Sequence, residues 1–172
     1  DVPFYILGSS LYGAQVAALL GLPYAFASHF APQLLDEALH VYRSDFKPSE
    51  FLDKPHAIAA MNVIAADSDA EAEFLASSIQ QSFVGLRTGN PRQMQPPVEG
   101  YKESLPPHIA AMLDEVLSCS AIGSLDTIRD GMSKFIERTQ ADEIIVSCSI
   151  FDHDKRKRSL SLTADVFNRL YN

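Results

Sequence analysis

Cysteine is almost absent from this sequence: only Cys119 and Cys148 occur, in no metal-binding or redox spacing. That excludes a disulfide framework and suits a reducing compartment. Long apolar runs are missing too. The most apolar stretch, Ala14 to Ala27, is interrupted by Gly21 and Pro23 and is too short to span a bilayer. No basic-then-apolar leader opens the chain. Basic residues are in deficit, with 14 Lys and Arg against 22 Asp and Glu and a formal net charge of -8. Such a surface repels phosphate backbones and disfavours nucleic-acid binding. These absences lead to the expectation of a soluble, cytoplasmic protein with neither membrane nor nucleic acid as a partner.

What is present is a globular composition. Of 172 residues, 47% are hydrophobic and 21% charged, enough for one domain with a sizeable core and too few for two comfortable ones. A single domain over residues 1–172 is expected. Phe4–Leu7, Tyr24–Ala27, Ala57–Ala66 and Glu143–Ser147 read as strands. Their continuous apolar runs, set between helices, are what parallel strands covered on both faces look like. Helices are expected over Ala14–Leu20, Pro32–Tyr42, Ala70–Phe83, His108–Leu117, Thr127–Arg138 and Ser159–Leu170, with Ser68 among the N-cap candidates of the third. Gly85 to Pro107 is rich in Gly and Pro and reads as a loop or insertion. Four parallel strands alternating with helices make an α/β chain, half the content of an eight-fold (β/α)8 barrel.

One segment points to ligand chemistry. Gly8-Ser9-Ser10-Leu11-Tyr12-Gly13 lies between a strand and a helix, where backbone N–H groups and hydroxyls form a ready anion site. A strand-to-helix turn whose serines cap the helix uses the same residue types. Ser28-His29 follows the second strand, on the rim where barrel enzymes place their sites. There an imidazole can donate to a ligand, or bond a neighbouring carbonyl and stiffen the rim. Asp152-His153 follows the fourth strand and reads as a structural cap. Lys155-Arg156-Lys157-Arg158 reads as a solvated turn ahead of the last helix. No metal site is expected.

Ile6-Leu7-Gly8-Ser9-Ser10, Gly21-Leu22-Pro23-Tyr24-Ala25-Phe26-Ala27-Ser28-His29-Phe30, Asn62-Val63-Ile64-Ala65-Ala66-Asp67, Ile122-Gly123-Ser124 and Phe151-Asp152-His153 together resemble the luciferase-like flavin-dependent monooxygenases. The resemblance runs nearly end to end and covers the C-terminal half of the family's barrel, so the chain is expected to be a fragment. It implies an oxidoreductase that uses reduced flavin mononucleotide (FMN) and O2 on a small organic substrate. Electrons would come from NAD(P)H or a separate flavin reductase. It further implies that Gly8, Ser9, Ser10 and Tyr12 hold the flavin phosphate, and that Ser28 and His29 border the ring. The catalytic residues are unknown and are expected in the absent N-terminal half. The chain alone is expected to be inactive and to form a homo-oligomer. Two alternatives stand beside this reading. One is a deazaflavin- or nicotinamide-linked oxidoreductase of the same superfamily, the other a non-catalytic flavin-binding or interaction module.

Overall fold

The computed structural model describes residues 2–171. In chain order it runs β1 (Ile6–Gly8), α1 (Leu11–Leu20), β2 (Tyr24–Phe26), a 3-10 turn (Pro32–Leu34), α2 (Leu35–Asp45), β3 (Ala57–Ala65) and α3 (Asp69–Arg87). A second 3-10 turn (Lys102–Ser104), α4 (Pro107–Val116), β4 (Ser120–Gly123), α5 (Leu125–Thr139), β5 (Glu143–Ser147) and α6 (His153–Tyr171) follow. The strands form one five-stranded sheet in the order β1-β2-β3-β4, with β5 also pairing β3. The expected α/β architecture, parallel strands alternating with helices, is present.

The chain divides into two compact units, one holding Phe135–Val146 and the chain up to Met61, the other Asn62–Lys134 and the chain from Ser147 onward. In the first unit β1 pairs β2 in parallel, Ile6 opposite Tyr24 and Gly8 opposite Phe26. The start of β3 continues the ladder, with Ala57 opposite Tyr24 and Ala59 opposite Phe26. Helix α1 packs against α2. Alanines at 14, 17 and 18 make the contact face of α1 small. Leu35, Ala38, Leu39 and Tyr42 of α2 are buried at helical spacing, each larger side chain contributing about 1.5–3 kcal/mol. Gly21 ends α1 in the left-handed region at φ 63°, and a Cβ there would lie 2.5 Å from the Lys47 carbonyl oxygen.

In the second unit the end of β3 pairs β4 in parallel, Asn62 opposite Ser120 and Ala65 opposite Gly123. The core gathers Ile64, Leu75, Ile79, Leu113, Val116 and Ile150. Ser68 caps α3, its hydroxyl accepting the Glu71 N–H at 3.2 Å, while the Glu71 carboxylate accepts the Asp67 N–H. The first bond satisfies an amide that the helix start leaves open, and the second ties the residue before the cap to the same turn. All residues of β3 are buried, as a parallel strand covered on both faces requires.

Four expectations are corrected. A further strand, β4, lies at Ser120–Gly123, too short and too poor in β-branched residues to read locally; pairing with β3 creates it. The first strand is Ile6–Gly8, because its ladder begins where the Ile6 N–H meets the Pro23 carbonyl; Phe4 and Tyr5 precede it and are exposed. Helix α3 runs on to Arg87. Finally, 155–158 is no turn: it lies in the first turns of α6, where Asp152 accepts the Lys155 N–H at 2.8 Å and starts the helix. No helix among the described residues is long and apolar enough to cross a membrane.

Candidate functional site

Parallel register carries the two candidate turns of the first unit to one end of the sheet. Gly8 sits opposite Phe26, and its carbonyl accepts the Ala27 N–H at 2.9 Å. Ser9-Ser10 therefore leaves β1 beside the point where Ala27-Ser28-His29 leaves β2. Ser9, Ser10 and Tyr12 are exposed. Ser10 is the N-cap of α1 with an extended backbone (φ -143°, ψ 163°), yet its hydroxyl makes no cap bond. The opening amides of α1 thus meet no capping side chain from Ser10, and their dipoles face the same end of the sheet.

Ser28 and His29 divide the work at the neighbouring turn. Ser28 is fully buried. Its hydroxyl donates to the Ala60 carbonyl at 2.5 Å and accepts the Ala60 N–H at 3.2 Å. That hydroxyl is committed to the backbone of β3, so Ser28 pins the turn. His29 is half-buried, and burial holds its imidazole pKa below the ordinary value, which favours the neutral ring near pH 7.

Sequence reasoning missed Tyr24, read only as a strand residue. It is fully buried, and its hydroxyl donates to the Ser10 carbonyl at 3.2 Å. A Cβ on Gly8 or Gly13 would meet the Tyr24 ring edge and hydroxyl at ordinary contact distance, 3.5–3.8 Å. The ring thus floors the Ser9-Ser10 turn. Residues 10 and 24 are fourteen apart with a helix between them, so no local pattern announces the pair.

A separate rim belongs to the second unit. Asp69 Oδ1 accepts the Ser124 N–H at 2.6 Å and the Thr127 hydroxyl at 2.8 Å, and the backbone bond from Ser124 leads in holding its carboxyl below the usual range. Gly123 leaves room for this clamp; a Cβ would lie 2.6 Å from Asp69 Oδ1. The basic run is spent on partners within this unit: Lys155 on Glu71, Lys157 on Asp154, Arg158 on Asp67 and Arg156 on His153 Nδ1. Among the described residues no group of three or more His, Cys, Asp or Glu is placed to hold a metal ion.

Known proteins are similar to the chain over nearly its whole length. It is 48% identical over 169 residues to a luciferase-like monooxygenase of Escherichia coli K12, covering 98% of this chain and 50% of that protein. The solved structure of apo-MsnO8 superposes with a TM-score of 0.80 at 30% identity, covering 96% of this chain and 51% of the other. A second solved structure is the oxygenating constituent of 3,6-diketocamphane monooxygenase from Pseudomonas putida, in complex with FMN. It matches with a TM-score of 0.59 at 18% identity, covering 92% of this chain and 45% of that one, and shares the fold alone. No protein-family model matches the chain. The chain spans about half the length of the curated relatives it matches. By fold it is one half of a barrel of parallel strands and helices. By sequence nearly its whole length is similar to half of a luciferase-like monooxygenase chain.

Proposed function

We propose that the chain is the C-terminal half of an FMN-dependent luciferase-like monooxygenase and supplies the phosphate end of its flavin site. The observation that carries this reading is the Ser9-Ser10 turn. Exposed hydroxyls and uncapped amides converge at a strand end, in a chain nearly half identical to a luciferase-like monooxygenase. The donor set fits a phosphate: amide N–H groups and neutral hydroxyls donate to an anion without burying a charge.

When bound, reduced FMN supplies the redox chemistry with O2, one oxygen atom going to an organic substrate and the other leaving as water. The chain's own residues bind and orient. The amides of Leu11, Tyr12 and Gly13, with the hydroxyls of Ser9 and Ser10, hold the phosphate, and Gly8 lets the turn leave the strand. Ser28 fixes the neighbouring turn, and His29 borders the ring as a neutral imidazole. Electrons arrive from a separate flavin reductase or from NAD(P)H. The protein works in the cytoplasm on a small organic molecule. No residue of this half is assigned as acid, base or nucleophile.

Oxygen consumption tests the reading. The full-length protein supplied with reduced FMN is expected to consume O2 in step with substrate oxygenation, whereas reduced deazaflavin gives none. The 172-residue chain alone is expected to give neither, because the missing half takes donors from the site and leaves it open to water. Turnover with deazaflavin and not FMN would move the protein to the sister class of oxidoreductases. Robust oxygenation by the isolated chain would overturn the half-site assignment.

A further inference from the structure

We propose that Tyr24 is the positioning residue of the phosphate loop: from beneath, it fixes the Ser10–Leu11 peptide so that the amides opening α1 face an anion. The inference rests on the FMN-phosphate reading above. A trans peptide points its C=O and N–H in opposite directions. With the Ser10 carbonyl held down by the Tyr24 hydroxyl, the Leu11 N–H is turned away from the buried ring. Ser10 makes no side-chain cap of its own, so the anchor comes from across the sheet.

Tyr24 is suited to the task because it is itself immobilised. Its ring packs edge-on to Phe26 at 6.2 Å and tilted on Tyr42 at 5.3 Å. Its N–H donates to the His56 carbonyl at 3.0 Å. The Tyr42 ring behind it is held in turn, its hydroxyl donating to the Leu22 carbonyl at 2.9 Å and accepting the His56 N–H at 3.0 Å. Burial pushes the Tyr24 hydroxyl up to about 12, so it remains a donor at every working pH. An anion site whose donors are already aimed costs less ordering on binding.

The test compares FMN with riboflavin, which lacks the phosphate, by flavin fluorescence titration of the full-length protein and its variants. Circular dichroism verifies that each variant is folded. Wild type is expected to prefer FMN, and Ser10→Ala to lose much of that preference. Tyr24→Phe is expected to weaken FMN by about threefold to tenfold and leave riboflavin unchanged. Tyr42→Phe loses hydrogen bonds in the same aromatic cluster away from the loop, and is expected to affect both ligands alike. If Tyr24→Phe weakens both ligands equally, or keeps the full preference for FMN, the positioning role is overturned while the phosphate reading stands. A wild type without preference for FMN overturns that reading, and this inference with it.

Discussion

His29 shows how burial alone sets a working protonation state. Its folded pKa lies below the ordinary 6.5 because burial penalises the imidazolium. Between that depressed value and about 6.5 the unfolded chain binds more protons than the folded one. Stability contributed by the neutral ring is therefore complete above about pH 6.5, declines as pH falls, and is gone below the folded pKa. Urea midpoints measured from pH 7.5 down to 5 are expected to fall more steeply for wild type than for His29→Gln, whose side chain does not titrate. Parallel curves would mean that burial does not shift this histidine. At the same scale, the candidate site was half legible in the sequence. The serine and glycine turn and the Ser28-His29 pair are contiguous residues at strand ends, so spacing found them. What Ser28 does was hidden, since its partner, the backbone of Ala60, lies thirty-two residues away. Tyr24 was hidden for the same reason, its bond to Ser10 being made across the sheet.

Single elements were legible where their own periodicity or apolar run sufficed. β5 spans Glu143–Ser147 as read, and α2 takes up most of the helix expected over Pro32–Tyr42, whose first three residues form a 3-10 turn instead. β4 failed because four residues, Ser-Ala-Ile-Gly, carry no pattern of their own; their pairing with β3 is a non-local cause. The start of α6 failed because a run of four basic residues resembles a solvated turn. In the fold, Asp67, Glu71 and Asp154 take up three of those charges on one helical turn, and i,i+3 or inter-helix pairs of this kind let the helix begin early. Ends of elements can be tested through their glycines. Gly21 and Gly89 both have positive φ, 63° and 75°, but only at Gly21 would a Cβ strike backbone, the Lys47 oxygen at 2.5 Å; nothing lies within 4 Å at Gly89. Gly89→Ala is expected to cost about 1 kcal/mol, the strain of the left-handed conformation. Gly21→Ala adds a collision that no side-chain rotation relieves and should cost roughly 2–4 kcal/mol in chemical denaturation. Equal costs would mean that the α1 terminus yields freely to the added methyl.

For the molecule as a whole, the unsatisfied surface is concentrated at the start of the chain. β1 stands at the end of the strand order and, among the described residues, pairs only with β2, so it keeps a free edge of the kind a closed barrel removes. The exposed side chains there are large and apolar: Phe4 is 64% exposed, Leu7 72% and Tyr12 75%. Leu19 and Leu20 of α1 add to the exposed apolar surface. Neither a Lys nor a Pro interrupts Phe4–Leu7 to discourage strand addition. Hydrophobic burial contributes about 25 cal/mol per Å², so covering several hundred Å² of such surface outweighs the entropy of bringing two chains together. The expected partner is a second copy of this chain, because each copy brings both a free strand edge and an apolar face to cover the other's. Light scattering on a size-exclusion column, at micromolar concentration, should therefore give a mass that is a multiple of one chain. Leu7→Lys, which places a charge on that edge and trims the apolar face, should shift the population toward monomer without unfolding it, since Leu7 contributes little to the core. A wild-type chain that elutes as a clean monomer would mean that β1 is protected in some other way and that the half-barrel is complete in itself.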